Sequence, residues 1–94
     1  MTDGSKTVRV RVTGRVQGVG YRDWTQRQAN ALGLSGWVRN EADGSVSALI
    51  AGDESAVASM VERLRDGPSF ASVAAVEIKD ATSGDLPSGF RITR

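Results

Sequence analysis

Residues 7–33 read TVRVRVTGRVQGVGYRDWTQRQANALG, and a change of period inside this stretch sets the fold. The first seven residues alternate, with Val8, Val10 and Val12 on one face and Arg9, Arg11 and Thr13 on the other. That is the pattern of a strand with one buried side and one open polar side. From Tyr21 the period lengthens. Tyr21, Thr25, Ala29 and Leu32 fall at i, i+4, i+8 and i+11, one stripe of a helix, and Gly33 is a natural stop. Between strand and helix lies GRVQGVGYR (14–22), a loop with three glycines and no histidine, cysteine or carboxylate.

Working outward, LSGWVRN (34–40) reads as a second strand, EADG (41–44) as a turn and SVSALIA (45–51) as a third strand. Val46, Ala48 and Ile50 share one face there, Ser45 and Ser47 the other, so the pair forms an antiparallel hairpin. Asp53 and Ser55 are candidate N-caps, and Glu54 suits a first helical turn. Val57, Met60, Val61 and Leu64 mark a second amphipathic helix, which Gly67-Pro68 ends. VAAVEIK (73–79) is a fourth strand, ATSGDLPSG (81–89) a loop and FRITR (90–94) a short last strand. Two strand–helix–strand units in tandem predict an α+β, ferredoxin-like split βαβ sandwich (βαββαβ). In that plan two helices cover one face of an antiparallel sheet, with a short C-terminal strand added. No linker or low-complexity segment interrupts it, so residues 1–94 read as a single domain.

Composition narrows the chemistry. The 94 residues include no cysteine and no histidine, which excludes disulfides, thiol catalysis, zinc–thiolate sites and the usual neutral-pH general base. A net charge of +1 says little about partners. The N-terminal MTDGSKT is unlike a secretory signal, and no apolar run approaches membrane-spanning length. A soluble cytoplasmic protein is expected, and nothing demands more than a monomer.

The glycine loop carries the candidate site. A glycine-rich turn leading into a helix leaves backbone N–H groups unpaired beside a partial positive charge, which together make an anion nest. Gly18 and Gly20 allow the required backbone and close approach of a ligand, although glycine spacing alone favours a plain turn. Arg22 falls in the first helical turn, where a cation is unfavourable by roughly 0.3–1 kcal/mol. By position it reads equally as a solvated arginine or as an anion ligand able to grip a phosphate with two parallel hydrogen bonds. Asn40 locally reads as a turn residue. In a split βαβ plan, however, it lies at the same sheet end as the loop, where its amide suits orientation of a water. Arg15 and Arg39 read as solvated charges, Trp24 and Trp37 as packing residues.

GRVQGVGYR (14–22), LGLSGWVRN (32–40), DGSV (43–46) and GPSFASV (67–73) together resemble the acylphosphatase family over almost the whole chain. The resemblance implies hydrolysis of a carboxyl–phosphate anhydride to a carboxylate and inorganic phosphate. It implies phosphate binding by Gly14, Arg15, Val16, Gln17, Gly18, Val19, Gly20, Tyr21 and Arg22, with Arg22 and Asn40 catalytic and Asn40 orienting the water. Tyr21 stands where phenylalanine is more usual, so its hydroxyl needs a partner, and Gly20 replaces a bulkier residue. The family's domain also begins larger hydrogenase-maturation proteins, and a chain ending after one domain is expected to be the free-standing enzyme. The substrate is then a small-molecule acyl phosphate. No cofactor, metal, nucleic acid or membrane is called for. An RNA-binding module of the same plan needs aromatic residues on the open sheet face, where this chain presents Arg9, Arg11, Thr13, Ser45, Ser47 and Leu49. A non-catalytic anion sensor accounts for the loop but not for Arg22 and Asn40 together.

Overall fold

Valine alternation along the first strand becomes an interior strand of the sheet. In the structure, a computed structural model, residues 4–82 and 86–93 are described. The elements run β1 (Ser5–Arg15), α1 (Tyr21–Ala31), β2 (Ser35–Asn40), β3 (Val46–Asp53), α2 (Glu54–Asp66), β4 (Ser72–Asp80) and β5 (Phe90–Ile92). They form a five-stranded sheet in the order β4-β1-β3-β2-β5. β1 pairs antiparallel with β3 and β4, and β2 antiparallel with β3, as expected for the split βαβ plan. β5 departs from a wholly antiparallel sheet by lying parallel to β2, with Val38 opposite Ile92. β4 and β5 occupy opposite edges. A strand antiparallel to β4 at the far edge must run with β2, because β1 and β2 both oppose β3.

Both helices cover one face. Val8, Val10, Val12, Val46, Ala48 and Ile50 meet Ala29, Val57, Met60 and Leu64 in one core. Burying each such Val, Leu or Ile contributes about 1.5–3 kcal/mol relative to exposure. The helical stripes appear as read: Tyr21, Thr25 and Ala29 are buried in α1, and Val57, Met60, Val61 and Leu64 in α2. Asp53 is the N-cap of α2, accepting from the Ser55 N–H at 3.2 Å. Gly33 follows α1 with positive φ (71°), and Leu34 N–H returns to the Ala29 carbonyl at 2.9 Å.

The open face is less open than alternation suggests. Ser45 and Ser47 point away from the core yet are buried. Ser47 lies in register between Arg11 and Arg39, whose long stems cover it. Ser45 donates to Asp43 Oδ1 at 2.6 Å. Trp37 is on this face too, its ring 4.5 Å from the Arg39 guanidinium and 5.4 Å from that of Arg9. Its packing partners are cations, not the core. Trp24, by contrast, packs against the core with its ring 5.4 Å from Tyr21. Within the 81–89 loop, residues 83–85 lie outside the described residues, as does Arg94 of the FRITR strand.

Candidate active site

The loop begins where two strands close together. Gly14 has φ 121°, and a Cβ there would sit 2.3 Å from the Ser72 carbonyl oxygen. The β1–β4 register shifts at this point, between Thr13 and Gly14. Gly14 therefore serves the sheet. Arg15, opposite Ser72, is exposed and still within β1. Val16 is buried, and its N–H is spent on the Gly14 carbonyl at 3.1 Å.

Beyond Val16 the backbone changes character. From Gln17 to Asp23, no acceptor for the main-chain N–H groups is found among the described residues, and the first helical bond is Trp24 N–H to the Gly20 carbonyl at 3.0 Å. Gly18 and Gly20 have φ of 74° and 80°, in the left-handed region. A Cβ on Gly18 would meet nothing within 4 Å, so glycine is required there by conformation, not by space. Gly20 is the N-cap of α1 and supplies no side-chain cap. An uncapped helix start preceded by free amides can accept an oxyanion.

Two side chains, Arg22 and Asn40, complete the arrangement. Gly18, Gly20, Arg22 and Asn40 line one cavity of about 180 Å³, walled by Val16 and Ile92. Arg22 is half-buried, with no hydrogen-bond or ion-pair partner among the described residues. Asp23, also at the cavity, is turned to Arg27 at 3.1 Å. Asn40 ends β2, and its Oδ1 is buried without a hydrogen-bond partner among the described residues. A buried acceptor left unpaired costs about 1–3 kcal/mol. Gln17 does not point into the cavity with its amide. Its Nε2 donates to the Glu41 and Ser45 carbonyls, both at 2.8 Å, tying the loop to the turn that follows Asn40.

Tyr21 contributes to the cradle through its main chain only. Its ring is in the core and its hydroxyl donates to the Leu64 carbonyl at 2.8 Å, the partner the extra oxygen needed. Burial pushes its phenol pKa above the ordinary value. Val19 packs on the core from the loop. The structure thus brings Gly18, Gly20, Arg22 and Asn40 to one cavity and leaves Gly14 and Arg15 in the strand. Arg39, bonded to Glu41 at 2.9 Å and laid over Trp37, is turned to the open face.

Sequence reasoning missed Ile92, because only the parallel seat of β5 beside β2 brings it to the cavity. The signal was its alternation with Phe90, which marks it as facing the helical layer. A larger cavity, about 340 Å³, lies on the open face among Arg9, Arg11, Glu77 and Lys79. Arg11 there is already paired with Asp43 and, at 3.6 Å, with Glu77. The smaller cavity is the better site because its arginine and its amides are unpaired. Among the described residues no cluster of histidine, cysteine, aspartate or glutamate has the makings of a metal site.

Fold and site together define a small ferredoxin-like sandwich with unpaired amides at a helix start and an asparagine on the same cavity. The acylphosphatase family profile matches residues 8–92. An acylphosphatase of Rhizobium etli is 60% identical over 93 residues, covering 99% of each chain. Two solved structures have the same fold. An acylphosphatase from Coxiella burnetii superposes with a TM-score of 0.91 at 32% identity, covering 99% of this chain and 100% of its own. One from Bacillus subtilis gives 0.88 at 38% identity, covering 94% and 98%. The chain belongs to the acylphosphatase family, the acid-anhydride hydrolases whose reaction is the hydrolysis of acyl phosphates.

Proposed function

We propose that the reaction runs by in-line attack of one water on a phosphoryl group seated in the 14–22 loop. The amides from Gln17 onward and the Arg22 guanidinium meet the phosphoryl oxygens, and Asn40 orients the water. The water oxygen bonds to phosphorus as the bond from phosphorus to the acyl oxygen breaks. That electron pair leaves on a carboxylate, and the water proton passes to a phosphoryl oxygen of the substrate. The carboxylate is a good leaving group, with an acid of pKa about 4, so no general acid is required. This suits a chain without histidine or cysteine. Phosphoryl transfer asks the protein mainly for positioning and charge stabilisation.

The observation that carries this reading is that Asn40 and Arg22 line one cavity together with Gly18 and Gly20. The enzyme is read as a cytoplasmic monomer of one domain. It acts on small-molecule acyl phosphates, releases inorganic phosphate, and uses no cofactor, metal, nucleic acid or membrane. Support for one domain is that all described strands join one sheet under one core. Against a base-stacking role, Trp37 lies beside two guanidinium groups.

The test is hydrolysis of benzoyl phosphate in excess chelator by the wild type, Arg22→Ala and Asn40→Ala. Turnover by the wild type is expected to survive chelation. Arg22→Ala is expected to lose both turnover and phosphate inhibition, with kcat down by roughly 10²–10³. Asn40→Ala is expected to lose turnover while phosphate still binds. Near-normal turnover by Asn40→Ala would remove the water-orienting role. Phosphate binding without turnover by the wild type would make the loop an anion sensor.

A further inference from the structure

The GPSFASV segment (67–73) is not used by the mechanism above, yet its Phe70 ring lies beside Gly20 of the loop. Phe70 is 58% exposed, more than any other large apolar side chain among the described residues. It lies in the α2–β4 connection, in a turn closed by Ala71 N–H on the Pro68 carbonyl at 3.0 Å. Ala71 packs against the core, so the turn is anchored. The Phe70 ring comes up against the helix N-cap: a Cβ on Gly20 would be 3.5 Å from its Cε1. An exposed phenyl beside the helix start offers apolar surface that an apolar group of a bound ligand can cover.

Topology says what that is. The strand order β4-β1-β3-β2-β5 puts the loop leaving β1 between the start of β4 and the end of β2. Phe70 flanks the loop from the β4 side and Asn40 from the β2 side. Ile92, opposite Val38 in the parallel register, shares the cavity with Asn40. In an in-line displacement the entering and leaving oxygens lie on opposite sides of phosphorus. Water held by Asn40 therefore sends the acyl group away from β2, toward Phe70.

We propose that Phe70 is the platform on which the acyl group rests, and that it favours aromatic acyl phosphates over short aliphatic ones. The inference depends on the in-line reading above. Ile92, on the opposite side, walls in the water and does not sense the acyl group.

The experiment compares kcat/KM for benzoyl phosphate and acetyl phosphate in the wild type, Phe70→Ala, Phe70→Leu and Ile92→Ala, with inhibition by inorganic phosphate measured alongside. An aromatic contact of this kind corresponds to about 3- to 10-fold in kcat/KM. Phe70→Ala is expected to lose that factor on benzoyl phosphate alone, with acetyl phosphate turnover and phosphate inhibition unchanged. Phe70→Leu is expected to fall between, and Ile92→Ala to leave the ratio of the two substrates as in the wild type. An unchanged ratio in Phe70→Ala, or a ratio altered instead by Ile92→Ala, overturns the platform while leaving the hydrolase reading intact. A wild type that turns over neither substrate overturns both.

Discussion

Arg22 sits at the end of α1 where a cation is least welcome, and Asp23, the acidic residue of the same turn, is paired with Arg27 instead. On the proposed reading a bound anion offsets it, and without one it weakens the helix start. Arg22→Ala is expected to raise stability in phosphate-free buffer by about 0.3–1 kcal/mol while removing activity. Urea unfolding with and without phosphate checks both halves, since phosphate should stabilise the wild type and not the variant. Tyr21 gives a second test. It is the only tyrosine, so its ionisation is read directly by ultraviolet absorbance. Burial raises its pKa in the folded state, so its protonated form is favoured by folding. The stability this contributes is complete below the ordinary phenol pKa near 10 and is lost as pH rises beyond it. Phenolate absorbance is expected to appear only together with alkaline unfolding. Ionisation near pH 10 with the fold intact would show the ring to be exposed.

At the scale of elements, the loop and the β2–β3 turn act as one piece because Gln17 joins them. Two hydrogen bonds from one amide, to Glu41 and Ser45, hold the cradle at a set distance from Asn40. Gln17→Ala is expected to cost about 1–3 kcal/mol in urea unfolding, from two bonds of about 0.5–1.5 kcal/mol each. It is expected to lower kcat more than it raises KM, because misplacing the cradle relative to the water harms the transition state first. The turn itself is held by Asp43, which accepts from the Ser45 hydroxyl and, at 2.9 Å, the Ser45 N–H. These bonds, with Arg11, hold its carboxyl below the usual carboxylate range. Its contribution is present above the unfolded-state pKa and lost as pH falls through the lower folded value. An Asp43→Asn variant should accordingly show a shallower loss of stability in acid than the wild type, measured by thermal melts below pH 4.

For the whole molecule, the junction of three strands is the most constrained point. Gly36 in β2 has φ 141°, and a Cβ there would lie 1.8 Å from the Leu49 carbonyl oxygen and 3.3 Å from Phe90 Cε2. Only a glycine lets β3, β2 and β5 close together at this place. Gly36→Ala is expected to destabilise the fold by more than about 3 kcal/mol, read as a large drop in Tm. A near-native Tm would mean that the strands can separate there without loss. β5 depends on the same junction, with Gly36 opposite Phe90 in the parallel register, and it carries Ile92 to the cavity. Damage at Gly36 should therefore reach the site from the far side of the sheet.

Much of this was legible along the chain. Strand alternation at Val8, Val10 and Val12 and the helical stripes of Tyr21–Ala29 and Val57–Leu64 are local facts, because burial of one face imposes the period of the backbone on the sequence. The loop glycines and Arg22 were legible for the same reason: positive φ and a helix start are properties of a few neighbouring residues. Four features depended on residues far apart. The seat of β5 follows from the crossing between opposite sheet edges, which no local period records. Gln17 acts on carbonyls 24 and 28 residues away. The meeting of Asn40 with Arg22, and of Phe70 with Gly20, exists only once the sheet order is set. A chain dictates its own turns and faces through short-range sterics and apolar spacing, whereas contacts between distant segments are chosen by how the layers pack.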